Sequence, residues 1–241
     1  MHIDSVVISG LNISCFKSMD EAVDMIFDDY IYTEKTGLAV AMNPEKIMMY
    51  RIDETVKETV DFSTLRYIDG IGVAKLASSK LNKDIPRIPG CELWEELMVR
   101  AGREHLPVYL IGASSEVLTN TVLKLAEKYN VNVVGFRDGY FSDEDEVIEH
   151  IRMVQPRILT VAMGSPRQEL FMKKCKDSGL CCFMMGVGGT YDVFTGKVKR
   201  APKLFRKTGL EWAYRLLSQP TRFMRQIKLI KFSILVLTNK I

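Results

Sequence analysis

Pro107-Val-Tyr-Leu-Ile-Gly112, Ser115 to Tyr129 and Val131-Asn-Val-Val-Gly135 follow one another as a short apolar run, an amphipathic segment of helical length and a second apolar run. Their spacing predicts strand, helix and strand. The pattern continues through a helix from Ser142 to Met153, opened by Ser-Asp-Glu-Asp, and a strand at Arg157-Ile-Leu-Thr-Val-Ala-Met163. A helix from Pro166 to Asp177 and a strand from Cys181 to Val187 complete it. Strands alternating with helices of this length require crossover connections, hence an α/β fold with a mainly parallel sheet covered on both faces. Upstream the signal is less regular. Leu38 to Met42 and Thr64 to Ile68 read as strands, and Pro44 to Val60, Ile71 to Ser79 and Glu92 to Gly102 as helices.

A chain of 241 residues, 47% hydrophobic and 26% charged, suits one sizeable folded domain with an appendage, and it carries no low-complexity linker or internal repeat. The boundary is electrostatic. Residues 197–241 hold 12 of the 33 Lys and Arg but only one acidic residue, Glu211, so this tail is near +11 and residues 1–196 near −8. Leu210, Trp212, Tyr214, Leu216, Leu217, Phe223, Ile227, Ile230 and Phe232 are woven among the basic residues at helical spacing. Such an appendage fits an anionic, partly apolar surface such as a bilayer face; it also fits docking on its own domain, and both can hold in turn. The first residues, Met1 to Ser14, lack the basic and apolar regions of a secretory leader, so none is expected. The apolar run Ser233 to Leu237 is far shorter than the roughly 20 residues of a membrane span.

Cys15, Cys91, Cys175, Cys181 and Cys182 form no CxxC pair and share no ligand spacing with His2, His105 and His150. Reduced thiols and no structural zinc are expected. Both His105 and His150 read as surface or capping residues near helix ends. The acidic core and the absence of any DNA or RNA motif argue against nucleic-acid binding, and the missing GxGxxG fingerprint argues against an NAD-dependent oxidoreductase.

In a parallel sheet the ligand crevice lies beyond the strand C-termini. Two glycine-bearing segments stand there. Met163-Gly-Ser-Pro-Arg-Gln-Glu169 places Gly164 and Ser165 in a turn with Pro166 opening a helix, where free N–H groups favour an anion. Gly186-Val-Gly-Gly-Thr-Tyr-Asp-Val-Phe194 supplies Gly186, Gly188 and Gly189 after the last strand, which a tight turn alone would also explain. At Tyr67-Ile-Asp-Gly-Ile-Gly-Val73, Asp69 presents a carboxylate with little bulk around it, either a general base or a helix start. Asn43, just before Pro44, either points into the same crevice or caps the next helix.

Together these segments resemble the WecG/TagA/CpsF family of bacterial glycosyltransferases over essentially the whole chain. The likeness runs through Asn43-Pro-Glu-Lys46, Asp69-Gly-Ile-Gly72, the two glycine segments, Lys199-Arg-Ala-Pro202 and Gly209 to Arg222. Trp94-Glu-Glu-Leu97, Asp138-Gly-Tyr-Phe141 and Val161-Ala-Met-Gly-Ser-Pro166 look most like the enterobacterial branch, which transfers N-acetylmannosaminuronate from its UDP donor during synthesis of enterobacterial common antigen.

The resemblance implies a Rossmann-like core, an inverting transfer, a polyprenyl-diphosphate-linked N-acetylglucosamine acceptor, and an appendage that helps close the site on the inner face of the bacterial inner membrane. Asp69 matches the family's proposed general base, Asn43 and Gln168 its acceptor pocket, and Arg215, Arg222 and Arg225 the basic residues thought to meet the acceptor diphosphate. The UDP-sugar would take Gly164, Ser165, Arg167, Gly186, Gly188, Gly189 and Asp192. Teichoic-acid members tend to have Thr two residues before the Asn; here Ala41 stands in that place, so a hydroxyl contact there is not carried over. No DxD-like pair ends a strand, and Asp143-Glu-Asp145 reads as a helix cap, so no metal or other cofactor is expected. The expected partners are the donor, the lipid-linked acceptor and an anionic membrane, with a homo-oligomer also allowed.

Overall fold

A computed structural model of the protein describes residues 3–199, 201, 202, 205, 223–238 and 241, with side chains of the last helix from residue 228 onward. Strands β1 (Asp4–Ile8), β2 (Leu11–Cys15), β3 (Gly37–Met42) and β4 (Leu65–Ile68) come from the first half of the chain. The second half supplies β5 (Pro107–Gly112), β6 (Asn132–Arg137), β7 (Ile158–Ala162) and β8 (Phe183–Gly186). They form one eight-stranded sheet in the order β1-β2-β4-β3-β8-β7-β5-β6, parallel except for the β1–β2 pair. This is the mainly parallel α/β architecture expected from the alternation of strands and helices, and it is consistent with the Rossmann-like core that the resemblance implied. The two halves meet where β3 pairs with β8, Leu38 opposite Met184.

Inward-facing residues alternate along the central strands, so each strand feeds two cores. Val108 and Leu110 of β5 join Trp94, Phe27 and Tyr191 on one face, while Tyr109 and Ile111 join Ile148, Phe171 and Met172 on the other. The first face is covered by α1 (Met19–Ile26), α5 (Gly90–Arg103), α6 (Ser115–Tyr129) and α9 (Thr190–Thr195). Over the second lie α2 (Pro44–Tyr50), α3 (Glu54–Asp61), α4 (Ile71–Leu81), α7 (Glu144–Val154) and α8 (Arg167–Asp177). The tail contributes α10 (Phe223–Leu237), which lays buried Phe232 into the cluster of Ile47, Met48 and Val73. Its Lys228 ammonium lies 3.8 Å from the Glu45 carboxylate. The docking alternative for the appendage is therefore realised along this face of α10. No helix among the described residues is long and apolar enough to cross a membrane.

Two differences from the sequence reading have local causes. The helix expected from Pro44 to Val60 breaks in two because Asp53, in extended conformation, accepts a hydrogen bond from Val56 N at 3.1 Å and starts α3 afresh. The opening residues form a hairpin that was not anticipated. Ser9 and Gly10 both adopt positive φ, 50° and 80°, as a two-residue reverse turn requires, and this pairs Ile8 with Leu11 and Asp4 with Cys15.

Candidate active site

Register brings the ends of β3, β4, β5, β7 and β8 to one edge, with Met42 opposite Ile68, Gly112 opposite Ala162, and Val161 opposite Gly186. The residues following each strand therefore share a crevice rim, densest around the β3–β8 junction. Asp69 and Asn43 lie side by side there. Asp69 N and Gly70 N both donate to the Met42 carbonyl, at 3.0 and 3.3 Å, and a Cβ on Gly70 would meet Pro44 Cδ at 2.6 Å and Asn43 Cβ at 3.0 Å. Glycine is thus required for the two loops to touch.

Asp69 is half-buried and directly precedes Gly70, the N-cap of α4. Its Oδ1 accepts from Gly90 N, the first residue of α5, at 3.0 Å. That bond sets the carboxylate against the amino-terminal end of a 14-residue helix. Beneath it the fully buried Tyr67 hydroxyl is pushed well above its usual range, chiefly by burial and secondarily by the charge of Asp69. Asn43 is half-buried and serves as the cap, its Oδ1 accepting from Lys46 N at 2.9 Å.

Gln168 joins the two glycine segments. Its Oε1 accepts from Gly188 N at 3.0 Å, and a Cβ on Gly186 would lie 2.5 Å from its Nε2. Gly164 and Gly188 take positive φ, 75° and 52°, with open space around them, while Gly189 precedes α9. Ser165 is exposed and meets the Lys46 ammonium at 2.5 Å. Buried Glu169 is the other partner of Lys46, at 2.6 Å. Neither Lys46 nor Glu169 was singled out from the sequence, because residues 123 apart give no local sign of pairing.

A hollow of about 300 Å³ opens farther along the same edge, at the ends of β5, β6 and β7. Arg167 and Asp192 line it, as do Ser114, Tyr140 and Lys197. The last three carry the same signal as the glycine segments, polar residues just past a strand, or lie where the appendage begins. Ser114 caps the 15-residue α6, and Gly112 and Ala113 reach the cap through positive φ, 107° and 57°. The Arg167 guanidinium sits 5.5 Å from the centroid of Phe141. Tyr191, below the hollow, hydrogen-bonds Thr160 at 2.6 Å and has its hydroxyl pushed upward by burial. A larger hollow of about 580 Å³ around His105 and Asn130 lies at the opposite edge of the sheet, away from every strand end discussed.

The structure thus brings Asp69, Asn43, Ser165, Gln168 and the glycines to one rim, with Arg167 and Asp192 in the hollow farther along the same edge. Arg215 and Arg222 lie outside the described residues, and Arg225 is described only as part of the α10 backbone. Asp143 is a helix cap as expected, accepting from Asp145 N and Glu146 N. His150 hydrogen-bonds Tyr109 at 2.9 Å, and His105 follows the end of α5. The model of the glycosyl transferase WecG/TagA/CpsF family matches residues 6–241, so the chain belongs to that family and transfers a sugar from a nucleotide-sugar donor to an acceptor.

Proposed function

We propose that the protein transfers N-acetylmannosaminuronate from its UDP donor to N-acetylglucosaminyl-diphospho-undecaprenol, with inversion and without a metal ion, as in the making of enterobacterial common antigen. The observation that carries the reading is the placement of Asp69: a half-buried carboxylate on the same sheet edge as a hollow sized for part of a nucleotide. In this reading Asp69 takes the proton of the acceptor 4-hydroxyl as that oxygen bonds to the anomeric carbon. The bond from that carbon to the diphosphate breaks on the opposite face, and its electron pair leaves with UDP. Charge growing on the leaving group is met by the N–H group of Gly189, by the start of α6 and by Arg167. Asn43 and Gln168 line the acceptor side, and Arg215, Arg222 and Arg225 reach the acceptor diphosphate, for which a planar guanidinium is suited.

Residues 1–196 act as the catalytic core and residues 197–241 as the membrane-facing appendage on the inner face of the inner membrane. The outer side of α10 supports this. With Phe232 turned inward, Ile230, Ile234 and Leu237 are 62%, 53% and 86% exposed on a basic helix, an apolar stripe a bilayer would cover. Changing all three to Ser is expected to weaken sedimentation with anionic vesicles at least about tenfold, because each loses apolar burial worth roughly 1.5–3 kcal/mol, while the melting temperature stays unchanged. Equal sedimentation of the two proteins would remove the stripe from the membrane contact.

Transfer from UDP-N-acetylmannosaminuronate and UDP-N-acetylmannosamine to a short-chain N-acetylglucosaminyl-diphosphate lipid, with EDTA present, tests the reaction. Product from the uronate donor supports the proposal. Product from the neutral donor alone moves the protein to the teichoic-acid linkage reaction, and product from neither rejects both donors.

A further inference from the structure

Lys46 and Glu169 form an ion pair that water scarcely reaches: their side chains are 10% and 3% exposed, and the Nζ to Oε1 distance is 2.6 Å. Removing two charges from water is costly, and apolar residues of similar volume commonly replace such a pair with no loss of stability. The pair is also poorly arranged for stability alone. Lys46 and the Gln168 amide, at 3.2 Å, converge on Oε1, while Oε2 is buried with no hydrogen-bond partner among the described residues.

Its position gives the pair a different use. Lys46 belongs to α2, whose cap Asn43 touches the Asp69 loop, and its ammonium also binds Ser165 in the first glycine segment. Glu169 orients Gln168, which in turn holds Gly188 in the second glycine segment. One hydrogen-bonded chain therefore runs from the Asp69 and Asn43 loops across the β3–β8 junction to both glycine segments. We propose that Lys46 and Glu169 are positioning residues that set the distance between the acceptor side and the donor side of the site; this rests on the sugar-transfer reading above.

Lys46→Met combined with Glu169→Leu removes both charges and keeps the volume, leaving Gln168 and every residue placed against substrate unchanged. The full chain is assayed with both UDP donors and the short-chain lipid acceptor, and KM for each substrate, kcat and the melting temperature are read together. The expected result is a kcat about 100-fold lower at saturation, KM for the donor within about threefold, and an unaltered melting temperature, since a misplacement near 1 Å suffices for such a loss. A double variant that melts normally and keeps kcat within about threefold of the unaltered protein overturns the inference. Should that variant not fold, Glu169→Gln decides: an about tenfold lower kcat at unchanged donor KM supports positioning, and an unchanged kcat overturns it. Absence of product from the unaltered protein with both donors is the separate outcome that rejects the reaction itself.

Discussion

Asp69→Ala is expected to lower kcat for transfer to the lipid-linked acceptor by about 10²–10⁴-fold, the usual contribution of a positioned general base. The effect should fall on kcat rather than on donor KM, because Asp69 stands at the end of β4 while the hollow that would take the nucleotide lies at the ends of β5 to β7. Alanine also deprives Gly90 N of its acceptor, and a lost charged hydrogen bond costs roughly 1.5–3 kcal/mol. Activity and stability must therefore be separated. Asp69→Asn does this: its carbonyl still accepts from Gly90 N, but an amide does not take up the acceptor proton. If Asp69 acts only by anchoring α5, Asn should restore both melting temperature and turnover; if it is the base, Asn restores only the former. A fully active Asn variant would end the mechanism proposed above.

Gly112→Ala should be the most damaging change on the donor side. Gly112 has φ 107°, a conformation L side chains rarely adopt, and an added Cβ would come within 2.4 Å of the Ala162 carbonyl oxygen and 2.9 Å of its Cα. These are main-chain atoms of the neighbouring strand, so no side chain can swing aside. Backbone strain and overpacking together cost about 2–6 kcal/mol. For a chain of this length that lowers the melting temperature by roughly 5–20 °C, as a thermal unfolding scan would read. Because Ala113 and Ser114 follow directly and line the hollow, UDP affinity should fall as well. Gly164→Ala is the control: its φ is 75°, but no atom lies within 4 Å of the added Cβ, so only backbone strain remains. Equal melting temperatures for the two variants would show that the contact with Ala162 is tolerated.

The parallel core was legible because each of β3 to β8 is a short apolar run followed by polar or glycine residues, a signal contained within a few positions. The opening hairpin obeys the same physics, with Val6, Ile8, Leu11 and Ile13 buried and Val7 exposed. It escaped the reading because polar residues interrupt both strands, Asp-Ser-Val-Val-Ile and Leu-Asn-Ile-Ser-Cys, so neither shows the continuous apolar run that marked the parallel strands. Strand ends likewise pointed to Asp69, Asn43, Gln168 and the glycines without naming their partners. That Asn43 caps α2 is a local contact the sequence already offered, but that Asp69 meets Gly90 and that Lys46 finds Glu169 are consequences of which strands become neighbours. Neighbour order is a property of the folded sheet, and it separates Asp69 from Gly90 by 21 residues and Lys46 from Glu169 by 123.

Chain order within the sheet has a consequence for how such a protein can change. Strands from the first half lie on one side of the β3–β8 seam and strands from the second half on the other. On the reading proposed above, the group that activates the acceptor hydroxyl, Asp69, lies before Gly90, and the residues that take the nucleotide sugar lie after Pro107. Acceptor activation and donor choice are thus written in separate stretches of sequence and can drift independently. A new donor is open to the chain through changes confined to its later half, provided the few bonds that cross the seam keep their length.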